Sequence, residues 1–418
     1  METGRGDRPG VGASECRSLQ LWVPGTSPCD QPLGRRYRSR IVESVCHAGM
    51  DDAAFVADIV KIIFFNDVIY DYALNAPGAT GGAERYAWLL LRALAADGWS
   101  VTVGVRKVVP AGENVTLDGV RFLGLDCSQH VLRVWCNVLR TERPDWWLWQ
   151  CADHWWGPAV ELAKLSGVRT IFSAMHDMDF RLRQALSLHP RLWPMYAWGL
   201  IRSDKIFVQH GQQLDELIPA WRTKASILPG VVTPASEALA HSDRLPYVAW
   251  VAMLREHKRP DLLIDLARQL PGVRFVVCGG VSRHRSQAGY SERMAAALRD
   301  LPNVEYRGLV PPEQSLDVIA RAAVLLSTSD SEGFPSTFLE AWTSGTPVVS
   351  LTVDPDHLLT EEGLGVLSGT VPQAATDLRR LVDEVELRRV IGARARDFVV
   401  RRHSPSAVSE TFRQALPV

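Results

Sequence analysis

No two cysteines in this chain are spaced C-x-x-C, and the seven that it has lie scattered, without histidines clustered beside them. This excludes a zinc ribbon and gives no disulfide framework, so a reducing, cytoplasmic setting is expected. No apolar run is long enough to span a bilayer. Neither sign of charge is in excess: 46 Lys and Arg stand against 47 Asp and Glu, a formal net charge of −1. Such a balance offers no global attraction to nucleic acid or to an anionic membrane, and nucleic acid is not an expected partner. There is no short internal repeat.

What is present is length and alternation. At 418 residues the chain is too long for one comfortable core and suits two domains. Residues 1–58 are rich in Gly, Pro, Ser and Arg and lack periodicity, and no apolar stretch among them resembles the core of a secretory signal. They read as a disordered extension, or as an overlong gene start with the true one near Met50. From Val60 onward, short apolar strands alternate with helical patterns. Strands are expected at 60–65, 100–105, 120–125, 146–150, 168–173, 205–208 and 225–228, with a glycine loop over 75–82 entering a helix at 83–97. Residues 236–246 read as a polar linker. A second alternating series then runs from Tyr247, with helices at 260–269, 291–300, 374–383 and 386–401 and a last one at 404–416. The expected fold is α/β, with two doubly wound Rossmann-like domains at 59–235 and 247–403 facing across a cleft.

The densest signal is Ser329-Asp330-Ser331-Glu332-Gly333-Phe334-Pro335-Ser336-Thr337-Phe338-Leu339-Glu340. It follows the apolar run Ala322 to Leu326, which reads as a buried parallel strand, and precedes a helix from Ser336 to Ser344 that Gly345 ends. A strand, a Gly/Pro/Ser loop and a helix N-terminus leave backbone N–H groups pointing at one spot, where the helix dipole also favours an anion. A diphosphate suits that place. Carboxylates repel phosphate, so Glu332 and Glu340 suit neutral hydroxyls on whatever the diphosphate carries. A second reading of Glu340 stays open, because Thr337-Phe338-Leu339-Glu340 is also a capping box that would merely close its own helix.

This stretch resembles the E-x7-E motif of the retaining, two-domain (GT-B) glycosyltransferases of family 4, with Glu332 and Glu340 at its two positions. The resemblance implies that Glu332 faces the transferred sugar, that Glu340 holds the ribose of a nucleotide, and that the backbone of Gly333, Phe334, Pro335 and Ser336 binds the diphosphate. It implies five further assignments. Lys258, with Arg255, stands where the family places cations on the leaving diphosphate, although Ala252 and Met253 replace the usual Gly-Arg and leave Arg255 to supply the guanidinium. His176 matches a histidine at the donor sugar, and Gly81 and Gly82 match a glycine loop beneath sugar and acceptor. The backbone of Gly308 and Leu309 matches the segment that reads the nucleotide base, and the last helix is expected to cross back to the first domain.

Each match has a bland counterpart. Arg255 and Lys258 alone would be a solvated helix start, and a strand-end His followed by Asp is often a structural pair. Asp177-Met178-Asp179 spells a D-x-D metal motif but is set aside as chance, since a metal would duplicate the charge of Arg255 and Lys258. No cofactor or metal is expected beyond a nucleotide-diphosphate sugar as co-substrate. Eight of the fourteen tryptophans crowd into 135–156 and 193–198. They fit a glycan, lipid-linked or small-molecule acceptor, a peripheral membrane contact, or ordinary core packing. The expected activity is metal-independent, retaining glycosyl transfer. A GT-B-shaped epimerase or phosphorylase, or a non-catalytic sugar-nucleotide-binding protein, is the alternative.

Overall fold

The structure is a computed structural model, and it describes residues 59–416 apart from 75, 77–80, 187–188, 236–237 and 282–288. The expected disordered extension at 1–58 and most of the glycine loop before Gly81 lie outside the described residues. The first domain is built on an eight-stranded sheet of β1 (Lys61–Phe65), β2 (Ser100–Arg106), β3 (Asn114–Leu117), β4 (Val120–Leu125), β5 (Trp146–Gln150), β6 (Arg169–Ser173), β7 (Lys205–Val208) and β8 (Ala225–Ile227). Their order is β3-β4-β2-β1-β5-β6-β7-β8, with every neighbour parallel except β3 against β4. The second domain has β9 (Leu245–Val251), β10 (Arg274–Cys278), β11 (Val304–Gly308), β12 (Ala322–Ser327), β13 (Val348–Ser350) and β14 (Gly365–Leu367), in the order β11-β10-β9-β12-β13-β14, all parallel.

The sequence dictates this layering through burial. All five positions of β5 and all six of β12 are buried, as strands covered by helices on both faces require. The helix Gly82–Ala96 turns Tyr86, Ala87, Leu90, Leu91 and Leu94 toward β1, β2 and β4 and leaves Arg92 outside. In each sheet the strand order reverses beside the first strand, between β1 and β5 and between β9 and β12. Ligands of open α/β sheets bind at the carboxyl ends of the strands at such a switch point. The residues that follow β1, β5, β6, β9 and β12 therefore face one another across the cleft.

Two features depart from the sequence reading, and a third decides between alternatives that it left open. β3 is an antiparallel edge strand whose alternating half-exposed residues gave no apolar run. Arg244, read as part of a polar linker, is buried and donates to the Ala322 and Ser344 carbonyls and to Thr346 Oγ1, so the end of that segment is docked on the second domain. Most of the tryptophans are core. Trp135, Trp146, Trp147, Trp149 and Trp156 are all at most 3% exposed.

The last helix, Pro405–Ala415, is capped by Ser404 Oγ, which accepts from Ala407 N. Its Val408 and Phe412, with Leu416, belong to the first domain's core, where the Phe412 ring lies 5.1 Å from Phe207 and 5.4 Å from Trp99. The return crossing runs beside the outward one: Val232 N donates to His403 O at 2.9 Å, and the Gly230 carbonyl lies 2.7 Å from His403 Nδ1. No helix among the described residues is long and apolar enough to cross a membrane.

Candidate active site

A cavity of about 600 Å³ lies between the domains, at the carboxyl ends of both sheets. Its second-domain wall begins where β12 ends. The chain turns through Thr328 to Pro335 and enters the helix Ser336–Thr343, which has no side-chain cap, so its N-terminus and positive dipole end open on the cavity through Ser336 and Thr337. The capping box read from Thr337 and Glu340 does not form. Gly333, Phe334, Pro335 and Ser336 all line the cavity, as do Gly308 and Leu309 after β11. Gly308 has φ +67°, a left-handed conformation that glycine holds without strain, and its carbonyl accepts from Gly279 N at 2.8 Å.

Lys258 Nζ and Glu332 Oε1 form an ion pair at the centre of this wall. Lys258 ends a short 3-10 turn, Glu256–Lys258, that follows β9, and its carbonyl is held by Thr328 Oγ1 at 2.7 Å. Thr328 is itself held by Trp250 Nε1 at 3.0 Å. Burial alone would raise the Glu332 carboxyl, but the Lys258 charge and hydrogen bond, with Ser329 and His257 nearby, outweigh it and hold the group below the usual carboxylate range. Burial, followed by the charge of Lys258, pushes His257 down to about 3, and Arg255 and His176 add to that effect. Arg255, His176, Lys258 and Glu332 thus share one electrostatic neighbourhood, and all four line the cavity.

His176 follows β6 and caps the turn Asp177–Phe180: its Nδ1 accepts from Met178 N at 3.0 Å, which leaves Nε2 as the donor nitrogen. Its carboxylate partner is Asp179, not the adjacent Asp177, for Asp179 Oδ2 accepts from Met175 N and His176 N at 2.7 and 3.1 Å. Asp177 instead accepts from Gln213 Nε2 at 2.8 Å and lies 3.3 Å from His210 Nε2. Both carboxylates of the D-x-D spelling are therefore committed within the first domain. No three His, Cys, Asp or Glu side chains are grouped as a metal site among the described residues.

The glycine loop meets the second domain directly. A Cβ on Gly82 would lie 3.4 Å from Ser336 Oγ, so the two helix N-termini converge, and a Cβ on Gly81 would overlap the Glu84 carboxylate. One turn on, Arg85 Nη1 pairs with Glu340 Oε1 across the cleft, with the two side chains 17% and 6% exposed. The carboxylate read as a ribose ligand is thus held by a guanidinium of the other domain. Two more ties lie alongside. Gln209 Oε1 accepts from Phe334 N at 2.9 Å, taking one amide of the predicted phosphate cradle. Asp356 accepts from Gly211 N and Gln212 N at 2.9 and 3.1 Å, capping a first-domain helix with a second-domain carboxylate. Sequence reasoning missed Arg85, Gln209 and Asp356. Only Arg85 carried a signal, since it occupies the first turn of the helix that Gly81-Gly82 opens.

Two family models match this chain: that of the glycosyl transferase 4-like domain over residues 81–229, and that of the glycosyl transferases group 1 over residues 233–398. The chain belongs to the GT-B glycosyltransferases of the family 4 type. This glycosyltransferase is 28% identical over 321 residues to the D-inositol 3-phosphate glycosyltransferase of Mycolicibacterium smegmatis, a match covering 66% of this chain and 72% of that protein. Other relatives of the same name are matched over about half their length. Among solved structures, sucrose-phosphate synthase from Thermosynechococcus elongatus superposes with a TM-score of 0.68 at 16% identity, covering 85% of this chain and 98% of that one. Anabaena HepE in complex with UDP-glucose gives 0.64 at 14% identity, with the same coverage. At these identities the likeness is one of fold.

Proposed function

We propose that this glycosyltransferase moves a sugar from a nucleotide-diphosphate donor to an acceptor hydroxyl, with retention of anomeric configuration and without an essential metal. The observation that carries the reading is the Lys258–Glu332 ion pair beside the uncapped N-terminus of the Ser336–Thr343 helix. A cation and a helix dipole suit a departing diphosphate, and a carboxylate held ionised suits positive charge growing at a sugar ring. A neighbour of the same fold, Anabaena HepE, is known in complex with UDP-glucose, which supports a nucleotide sugar as donor.

In this mechanism the donor lies along the second-domain wall, its base against the backbone of Gly308 and Leu309 and its ribose at Glu340. The diphosphate rests on the amides of Gly333 and Ser336, because Pro335 has none and Gln209 takes that of Phe334. Lys258 and Arg255 neutralise the charge that develops on the leaving oxygen as the glycosidic C–O bond breaks. The acceptor hydroxyl attacks the anomeric carbon from the same face, and its proton passes to the departing phosphate oxygen. Glu332 supports the oxocarbenium-like charge, and His176 Nε2 donates to a sugar hydroxyl. The acceptor differs among proteins of this kind, since one relative is named for an inositol phosphate and another for a diacylglycerol glycolipid.

The test is product analysis with the purified full chain, a panel of UDP- and other nucleotide sugars, and added chelator. Release of nucleoside diphosphate with a new glycoside of retained configuration is expected, undiminished by chelation. Donor isomerised without acceptor, sugar phosphate as product, or binding without turnover would replace this reading with the epimerase, phosphorylase or non-catalytic alternative.

A further inference from the structure

The first-domain wall of the cavity carries side chains for which the donor has no use. Asp153, His154 and Trp155 follow β5 at its carboxyl end, and His189 approaches from the next segment of the wall. Asp153 Oδ1 accepts from Trp155 N at 2.7 Å and lies 3.4 Å from His154 Nδ1. The His154 ring stands 5.0 Å from His189, edge to face, and 5.6 Å from Trp155. Asp153 and His154 are only 14% and 18% exposed, yet both line the cavity. Burial pushes the Asp153 carboxyl up to about 7 and lowers His154, with His189 adding to the second effect. Asp153 and His154 thus sit in a water-poor corner, where His154 is favoured as imidazole over imidazolium.

Resting on the transfer reaction above, we propose that Asp153, His154, His189 and Trp155 form the acceptor subsite, and that it selects an uncharged, polyhydroxylated acceptor over its phosphorylated counterpart. A buried carboxyl group accepts hydrogen bonds from hydroxyls, and a neutral imidazole both donates and accepts. The face of Trp155 suits the C–H face of a sugar or cyclitol. A phosphate dianion entering this corner would lose hydration and meet a carboxyl group without gaining a counter-charge. Among the described residues, the one Arg or Lys on the first-domain wall is Arg85, and it is paired with Glu340. Lys258 and Arg255 stand on the opposite wall, where the donor diphosphate takes their charge.

The experiment compares kcat/KM for glucose against glucose 6-phosphate and for myo-inositol against myo-inositol 3-phosphate. In parallel, saturation-transfer NMR in the presence of UDP reads binding of the same four compounds without requiring turnover. The neutral member of at least one pair is expected to be favoured tenfold or more. Asp153→Arg is expected to reduce that preference at least tenfold, and His189→Arg, at an exposed position that tolerates change, to move it the same way. Preference for the phosphorylated member, or a ratio untouched by either variant, overturns the subsite. Selective neutral binding that both variants abolish, with no nucleotide sugar turned over, upholds the subsite and sinks the transfer reaction instead.

Discussion

Arg85 and Glu340 sit in different domains, and their ion pair bridges the cleft at the carboxylate that the proposed mechanism gives to the ribose of the donor. A nucleotide must therefore share Glu340 with Arg85 or displace it. Replacing Glu340 by Gln removes a charged acceptor and leaves a guanidinium whose pKa burial already lowers. UDP affinity is expected to fall about 10- to 100-fold, the worth of a charge-assisted hydrogen bond. Calorimetric titration measures this. The melting temperature should fall as well, because breaking a buried pair costs about 3 kcal/mol. An unchanged UDP affinity with a lowered melting point would make Glu340 a structural tie alone.

Lys258→Ala is expected to lower kcat about 100-fold, since it removes a fixed charge from the leaving group in a shielded cleft. The same change frees Glu332 from the charge that depresses its pKa, leaving burial to raise it. The acid limb of the pH–rate profile should then move to higher pH. A profile that keeps its acid limb would show that Glu332 is not the group titrating there.

The tie through Asp356 is sensitive to pH at both ends. Burial opposes the charge on His210, but Asp177 and Asp356 outweigh it and raise the imidazole to about 9. Asp356, despite burial, is lowered to about 2 by His210 and by the Gly211 and Gln212 amides. The His210 contribution is complete below its unfolded pKa of about 6.5 and disappears as pH rises through about 9. The Asp356 contribution is complete above about 4 and disappears as pH falls through about 2. Thermal stability should thus fall on the alkaline side between about 6.5 and 9, and His210→Gln should flatten that limb. An alkaline limb identical in the variant would place the titration elsewhere.

Trp155 and Trp156 are neighbours with opposite fates. Trp156 is 0% exposed and its Nε1 donates to Ser203 Oγ at 3.1 Å, whereas Trp155 lines the cavity. Trp156→Ala should cost about 3–5 kcal/mol of stability through a core cavity. Trp155→Ala should instead raise the acceptor KM about tenfold, the scale of one aromatic contact. Denaturant melts and acceptor titrations separate the two. A Trp155→Ala enzyme with an unaltered acceptor KM would remove that ring from the site.

What the sequence made legible was local. The strand, turn and helix around Glu332 are contiguous, so β12, the turn and the Ser336–Thr343 helix could be placed within a residue or two, and the spacing to Glu340 followed. Lys258 and His176 were legible through the family resemblance, each in a segment that follows a recognisable strand. Gln209 and Phe334 are 125 residues apart, and Asp356 caps Gly211 from 145 residues away. Such ties exist only once two sheets face each other, and no periodicity encodes that. The tryptophans stayed ambiguous for a different reason. β5 is buried on both faces, so Trp146, Trp147 and Trp149 show no alternation that would mark them as core.

The helix Pro405–Ala415 fills a gap in the first domain with Val408 and Phe412, residues made after the whole second domain has been synthesised. The earlier half of the chain therefore keeps part of its interior open until that helix is available to fill it. Trimming that helix would injure the half of the molecule farthest from it in sequence.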